Sequence, residues 1–162
     1  MSENNENKIT LMEGGITNNP LAFTVKNQNV TFTSLDLTKR ENAVKLYNAI
    51  EECDILLNDI KGQVIEVNNL YFERKEVADR DDSGEIIYNE DGSVKTKTHY
   101  RTIFFGTDGK TYVTSAFGVY SSLQRIIPIF GYPTEENILK LEVTERPYKN
   151  TNKKVLSLKV VA

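Results

Sequence analysis

A chain of 162 residues, 39% hydrophobic and 27% charged, carries enough apolar surface to fold one core without covalent staples. Its single cysteine, Cys53, excludes an internal disulfide, and no apolar run approaches the roughly 20 residues of a membrane span. The net charge of −3 hides a split: residues 1–94 sum to −9 and residues 95–162 to +6, so only the second part suits a polyanion.

The opening MSENNENK is polar and lacks the basic-then-apolar order of a signal peptide, so residues 1–7 are expected to be disordered and the protein cytoplasmic. Residues 8–60 read as N-terminal strands and a packing helix. KITLM alternates, EGGITNNP is turn-rich, and LAFTVKN and NVTFTSLDL are β-branched runs around NQN, the pattern of a hairpin. TKRENAVKLYNAIEEC then reads as a helix. Thr38 and Glu41 have capping-box spacing, and Ala43, Leu46, Tyr47 and Ile50 share one face.

From residue 61 the pattern changes. KGQVIEVNNLYFERKEVA is a long strand in which Asn68 and Asn69 suit a bulge. DRDDSGEIIYNEDGSVK is acidic with two glycine turns, a projecting hairpin or mobile loop expected to stay out of any basic groove. TKTHYRTIFFG and KTYVTSAF are strands joined at TDG. GVYSSLQRIIPIFG is a helix with an apolar stripe of Val119, Leu123, Ile126, Ile127 and Phe130; Pro128 should kink or tighten it, and Gly131 and Pro133 end it. NILKLEVTERPY and KKVLSLKVV close the chain as strands around KNTN. Strand, strand, strand, helix, strand, strand is the element order of an OB-fold. The expected class is therefore mainly β with helices: an OB-fold-like β-barrel at 61–162, in one compact unit with an N-terminal β/α extension at 8–60.

Catalysis finds no constellation. His99, the only histidine, has no nucleophile motif beside it, TDGK lacks the helix start and Ser/Thr of a phosphate loop, and DRDDSGE lacks the ligand spacing of a calcium loop. No cofactor or metal is implied, and the chain does not read as an enzyme. Binding is better supported. A single strand is held by cations that track phosphates and by rings on which bases stack. The barrel strands supply both: Tyr71, Phe72, Arg74 and Lys75 on the first, Lys97, Tyr100 and Arg101 on the second, Lys110 and Tyr112 on the third. The last hairpin adds Arg146, Tyr148, Lys149, Lys153 and Lys154. The competing reading is that aromatics fill the barrel, as expected of Phe104, Phe105, Phe117 and Phe130, and that hairpin lysines are merely solvated. Of these side chains, Tyr71, Arg74, Lys97, Tyr100, Arg101, Lys110, Tyr112 and the hairpin set Arg146, Tyr148, Lys149, Lys153 and Lys154 form the expected nucleic-acid site.

The run RTIFFGTDGKTYVTSAFGVYSSLQRIIPIFGYPT with LKLEVTERPYKNTNKKVLSLKVV resembles the C-terminal half of single-stranded DNA-binding proteins of small bacteriophages of Gram-positive hosts. DGKTY, GVYSSL, IFGYPT and the basic closing hairpin carry the resemblance, which spans roughly 60–162 and the opening ITLMEG. It implies a protein that coats displaced single strands in phage replication without strong base preference, in the host cytoplasm. Single-stranded DNA is the implied partner, replication proteins are further candidates, and no membrane is involved. Housekeeping bacterial proteins of this kind end in an acidic tail; LKVVA reads as strand, so that class is not expected here. The alternative function is a phage-encoded protein-interaction module, or host-factor inhibitor, on a small barrel.

Overall fold

The computed structural model describes residues 15–19, 22, 29–148 and 150–162. The expected disordered 1–7, the KITLM segment and nearly all of LAFTVKN lie outside the described residues. Among the described residues seven strands and two α-helices follow in the order β1 (Val30–Thr33), α1 (Arg40–Glu51), β2 (Ile55–Leu56), β3 (Val64–Ala78), β4 (Thr96–Gly106), β5 (Thr111–Thr114), α2 (Phe117–Phe130), β6 (Leu139–Pro147) and β7 (Lys154–Val161). A 3-10 turn, Leu57–Ile60, links β2 to β3.

The strands form one curled sheet in the order β2-β5-β4-β3-β6-β7, antiparallel except where β2 runs parallel to β5. β3 organises it. One edge of β3 carries β4 along nearly its whole length; the other carries β6 at Val64–Val67 and β1 at Tyr71–Arg74. The register against β4 slips between Val67 and Asn69, where the asparagine pair suggested a bulge. The bulge lets β3 curl, so its first part can serve β6 while its last part serves β1. The result is mainly β and OB-fold-like, a half-barrel with one helix between its third and fourth barrel strands.

The curl encloses Val67, Leu70, Phe72, Phe104, Leu141 and Val143, and α2 inserts Val119, Leu123, Ile126 and Ile127 against them. Phe130, expected on that stripe, is 46% exposed. The helix runs through Pro128, and the Gly131 N–H donates to Ile127 O at 2.8 Å with φ at +78°, a left-handed stop that glycine adopts without strain.

A smaller cluster lies on the convex face. There α1 rests Leu46 and Ala49 on Tyr71, Ile103 and Phe105, with Leu35 at its edge. The helix uses a narrower stripe than its sequence suggested: Ala43 and Tyr47 are exposed. The capping box does not form either, because Asp36 captures the Thr38 hydroxyl at 2.6 Å and Thr38 N–H at 3.1 Å. Residues 79–95 fold back as two successive tight turns. Asp81 accepts from Ser83 and Glu85 N–H, Asp91 accepts from Ser93, and Ile87 N–H reaches Asp79 O. Those bonds hold the acid in a projecting hairpin.

Candidate nucleic-acid interface

An OB barrel closes by pairing its third and fifth strands. Here those strands are β5 and β7, and among the described residues they do not pair. α2 fills part of the seam instead. Its small residues let it lie against the β7 edge. Gly118 sits so close that an added Cβ would stand 2.1 Å from Leu156 O. Ser122 Oγ accepts from Leu158 N–H at 3.2 Å and donates to Gly118 O at 3.0 Å. This satisfies the Leu158 N–H on the edge of β7, which a strand would otherwise have met.

Beyond the reach of the helix the seam stays open. It forms a groove of about 750 Å3 between the C-terminal end of β5, the start of α2 and the β6–β7 hairpin. One wall carries Leu56, Val113, Thr114, Ser115 and Phe117; the other carries Arg146, Tyr148, Lys154 and Val155. Among the described residues no ion pair engages Arg146 or Lys154. Tyr148 and Phe117 are 43% and 54% exposed. Two cations and two rings therefore face the same open space.

The groove gathers Arg146, Tyr148 and Lys154 from the expected site. Lys153 is exposed in the adjoining turn, where its carbonyl accepts from Tyr148 N–H at 2.9 Å. Lys149 lies outside the described residues. Tyr100 stands just behind the groove, edge-on to Phe117 at 5.3 Å, and Arg74 pairs with it across β3 and β4.

The other expected residues are elsewhere. Successive strand residues face opposite sides of a sheet, so Tyr100 and Arg101 cannot line one groove. Arg101 points to the convex face and donates to Ile50 O at 2.7 Å, under the end of α1. Tyr71 is on that face too, 4% exposed, its hydroxyl donating to Glu73 Oε1 at 2.9 Å. Burial first, then Glu73, pushes the Tyr71 phenol well above its ordinary range. Burial also works to raise the Glu73 carboxyl, but hydrogen bonds from Lys75 and Tyr71 and the Arg101 charge outweigh it, leaving it below its usual value. Tyr112 is 6% exposed in the main core, and its hydroxyl donates to Asp108 at 2.6 Å. Burial and that carboxylate push the phenol up to about 12. Neither ring offers a base an open face. Lys97 and Lys95 flank Asp79 at 4.0 and 3.8 Å, at the root of the acidic hairpin. Lys110 is exposed in the β4–β5 turn and does not line the groove.

A family model described as phage single-stranded DNA-binding protein matches residues 25–161. The chain belongs to that family. It is thus a DNA-binding chain of phage type, and the seam lies wholly inside the matched span. No curated protein and no solved structure matches it. Among the described residues no helix is long and apolar enough to cross a membrane, and no group of His, Cys, Asp and Glu could hold a metal.

Phe117, expected in the core, instead lines the groove and is 54% exposed. Its helical phase was the available signal. At 3.6 residues per turn it lies about 200° from Val119, opposite the buried stripe. An apolar residue there has no core to enter.

Proposed function

We propose that this family member holds single-stranded DNA along the open seam, with Arg146 and Lys154 at the phosphates and Tyr148 against a base. The carrying observation is the groove itself: two cations without ion-pair partners among the described residues share one open slot with exposed rings. Lys153, exposed in the adjoining turn, extends the positive track along the hairpin. Phosphate contacts and ring stacking carry no base code, so binding is sequence-tolerant and suits a coat over displaced strands in phage replication. The host cytoplasm is where such strands would be met, and replication proteins working on the same strand are the natural neighbours.

Anisotropy titrations with labelled oligo-dT across a salt series, with duplex competitor, test this. Arg146→Ala and Lys154→Ala should each weaken binding and flatten the log–log salt slope by about 0.7, the share of one phosphate contact on a single strand. Wild-type affinity and slope in both variants would move the DNA site elsewhere.

A further inference from the structure

We infer that Phe117 is the base-stacking platform of the seam, a pre-set apolar ring that selects single strands over duplex. This rests on the seam being the DNA site and assigns its central contact.

Phe117 is the first residue of α2 and is 54% exposed although it stands at the head of a core-packing helix. Behind it runs a column of rings. Tyr100 meets it edge-on at 5.3 Å and 62°, Tyr120 lies 4.8 Å from Tyr100, and Phe72, fully buried, lies 5.4 Å from Tyr120. Among the described residues, the groove side of the ring has no such neighbour on the opposite wall. That wall presents Arg146, Tyr148 and Lys154. The backbone beneath the ring is fixed as well, since Gly118 is pressed against Leu156 O. The ring is thus rigid on its protein side and open on its groove side.

Such a ring suits one class of ligand. A base in single-stranded DNA can leave its neighbours and lay its face on Phe117 while its phosphate reaches the cations opposite. A base in duplex keeps both faces stacked on other pairs and has none to offer. Phenylalanine has no hydrogen-bonding group, so the contact reads a π-face and no base edge. Because the ring is already held, stacking on it carries little ordering cost.

The test uses the full chain and oligo-dT. Phe117→Leu keeps apolar bulk but removes the π-face, and it should lower affinity roughly 5- to 100-fold with the salt slope unchanged. Phe117→Trp keeps a π-face and should bind oligo-dT more tightly than Phe117→Leu, with the same salt slope. The chain contains no tryptophan, so the new indole is the sole such emitter, and its fluorescence should be quenched as oligo-dT binds and unaffected by duplex. Thermal melts confirm that both variants are folded at the assay temperature. If Phe117→Leu binds as wild type, or the indole emission is unmoved at saturation, the inference falls. Arg146→Ala then separates the two readings. A flattened salt slope beside a silent Phe117 overturns the platform and keeps the groove; wild-type affinity and slope in both Arg146→Ala and Lys154→Ala overturn both.

Discussion

On the convex face, beneath α1, a tyrosine, an arginine and a lysine surround Glu73; in the seam, an arginine, a lysine, a tyrosine and a phenylalanine surround open space. The inventories are alike and their uses are opposite. On the convex face Arg101, Glu73, Lys75 and Lys45 each meet a partner from the chain itself. Arg101 meets the carbonyl of Ile50, Glu73 meets Tyr71 and Lys75 at 3.0 Å, and Lys45 stands 5.5 Å over the Phe105 ring. Those contacts fasten a helix. In the seam Arg146 and Lys154 have no ion-pair partner among the described residues, and Phe117 turns a face outward. Cations beside aromatics mark a binding site only where the chain has not already used them.

The largest expected effect comes from forcing the seam apart. Gly118→Ala places a methyl 2.1 Å from Leu156 O, and neither the helix backbone nor the β7 backbone can step aside cheaply. Alanine's better helix propensity, worth about 1 kcal/mol, is outweighed by overpacking of about 3 kcal/mol or more. Urea denaturation should show the net loss, with weakened oligo-dT binding as β7 and Lys154 shift from α2. A more stable variant would show that α2 does not press on the β7 edge.

Next in size is the same substitution on the two faces. Arg101→Ala removes a charge-assisted bond that anchors the end of α1 and leaves Glu73 with less positive charge. It should cost about 2 kcal/mol in chemical denaturation while oligo-dT affinity and salt slope hold. Arg146→Ala should do the converse, with stability held and slope reduced. An Arg101→Ala protein that stays as stable as wild type but loses salt dependence would make the convex face the DNA site.

Much of this fold could be read in the residues, because apolar alternation and turn chemistry are local. The bulge beside Asn69, the turn at Gly109 and the helix ending at Gly131 each come from a side chain or a φ angle acting within a few positions. What could not be read is phase and company. A strand's residues fix that Tyr100 and Arg101 face apart but not which side lies under a helix. α1 decides that, and it comes from fifty residues earlier in the chain. Tyr112 and Tyr71 show the same limit: a tyrosine beside charges suits a wet edge and a buried hydrogen bond equally well. The open seam was least legible, since it depends on β2, from far earlier in the chain, pairing along the outer edge of β5 and on β5 turning into α2 after only four residues.

The smallest expected effect belongs to Tyr112, the ring that its sequence placed in the DNA site. Tyr112→Phe keeps the buried ring and deletes only the bond to Asp108, whose carboxyl that bond pulls below its usual range. Asp108 is largely in solvent, so the loss should be a few tenths of a kcal/mol, up to about 1. Its pH dependence is specific. Asp108 has a lowered folded pKa, so its share of stability is full above the unfolded value of about 3.9 and is lost as pH falls through the folded one. Tyr112 has a folded pKa raised to about 12, so its share is full below the unfolded value near 10 and is lost as pH rises towards 12. The stability difference between wild type and Tyr112→Phe should therefore be a plateau from about pH 4 to 10 that declines on both sides. Denaturation curves across pH measure it. Oligo-dT affinity at neutral pH should not change in Tyr112→Phe, nor in Tyr112→Leu at temperatures where that variant remains folded. A folded Tyr112→Leu protein that binds DNA more weakly, with the salt slope intact, would put this ring back in the site and the seam groove out of it.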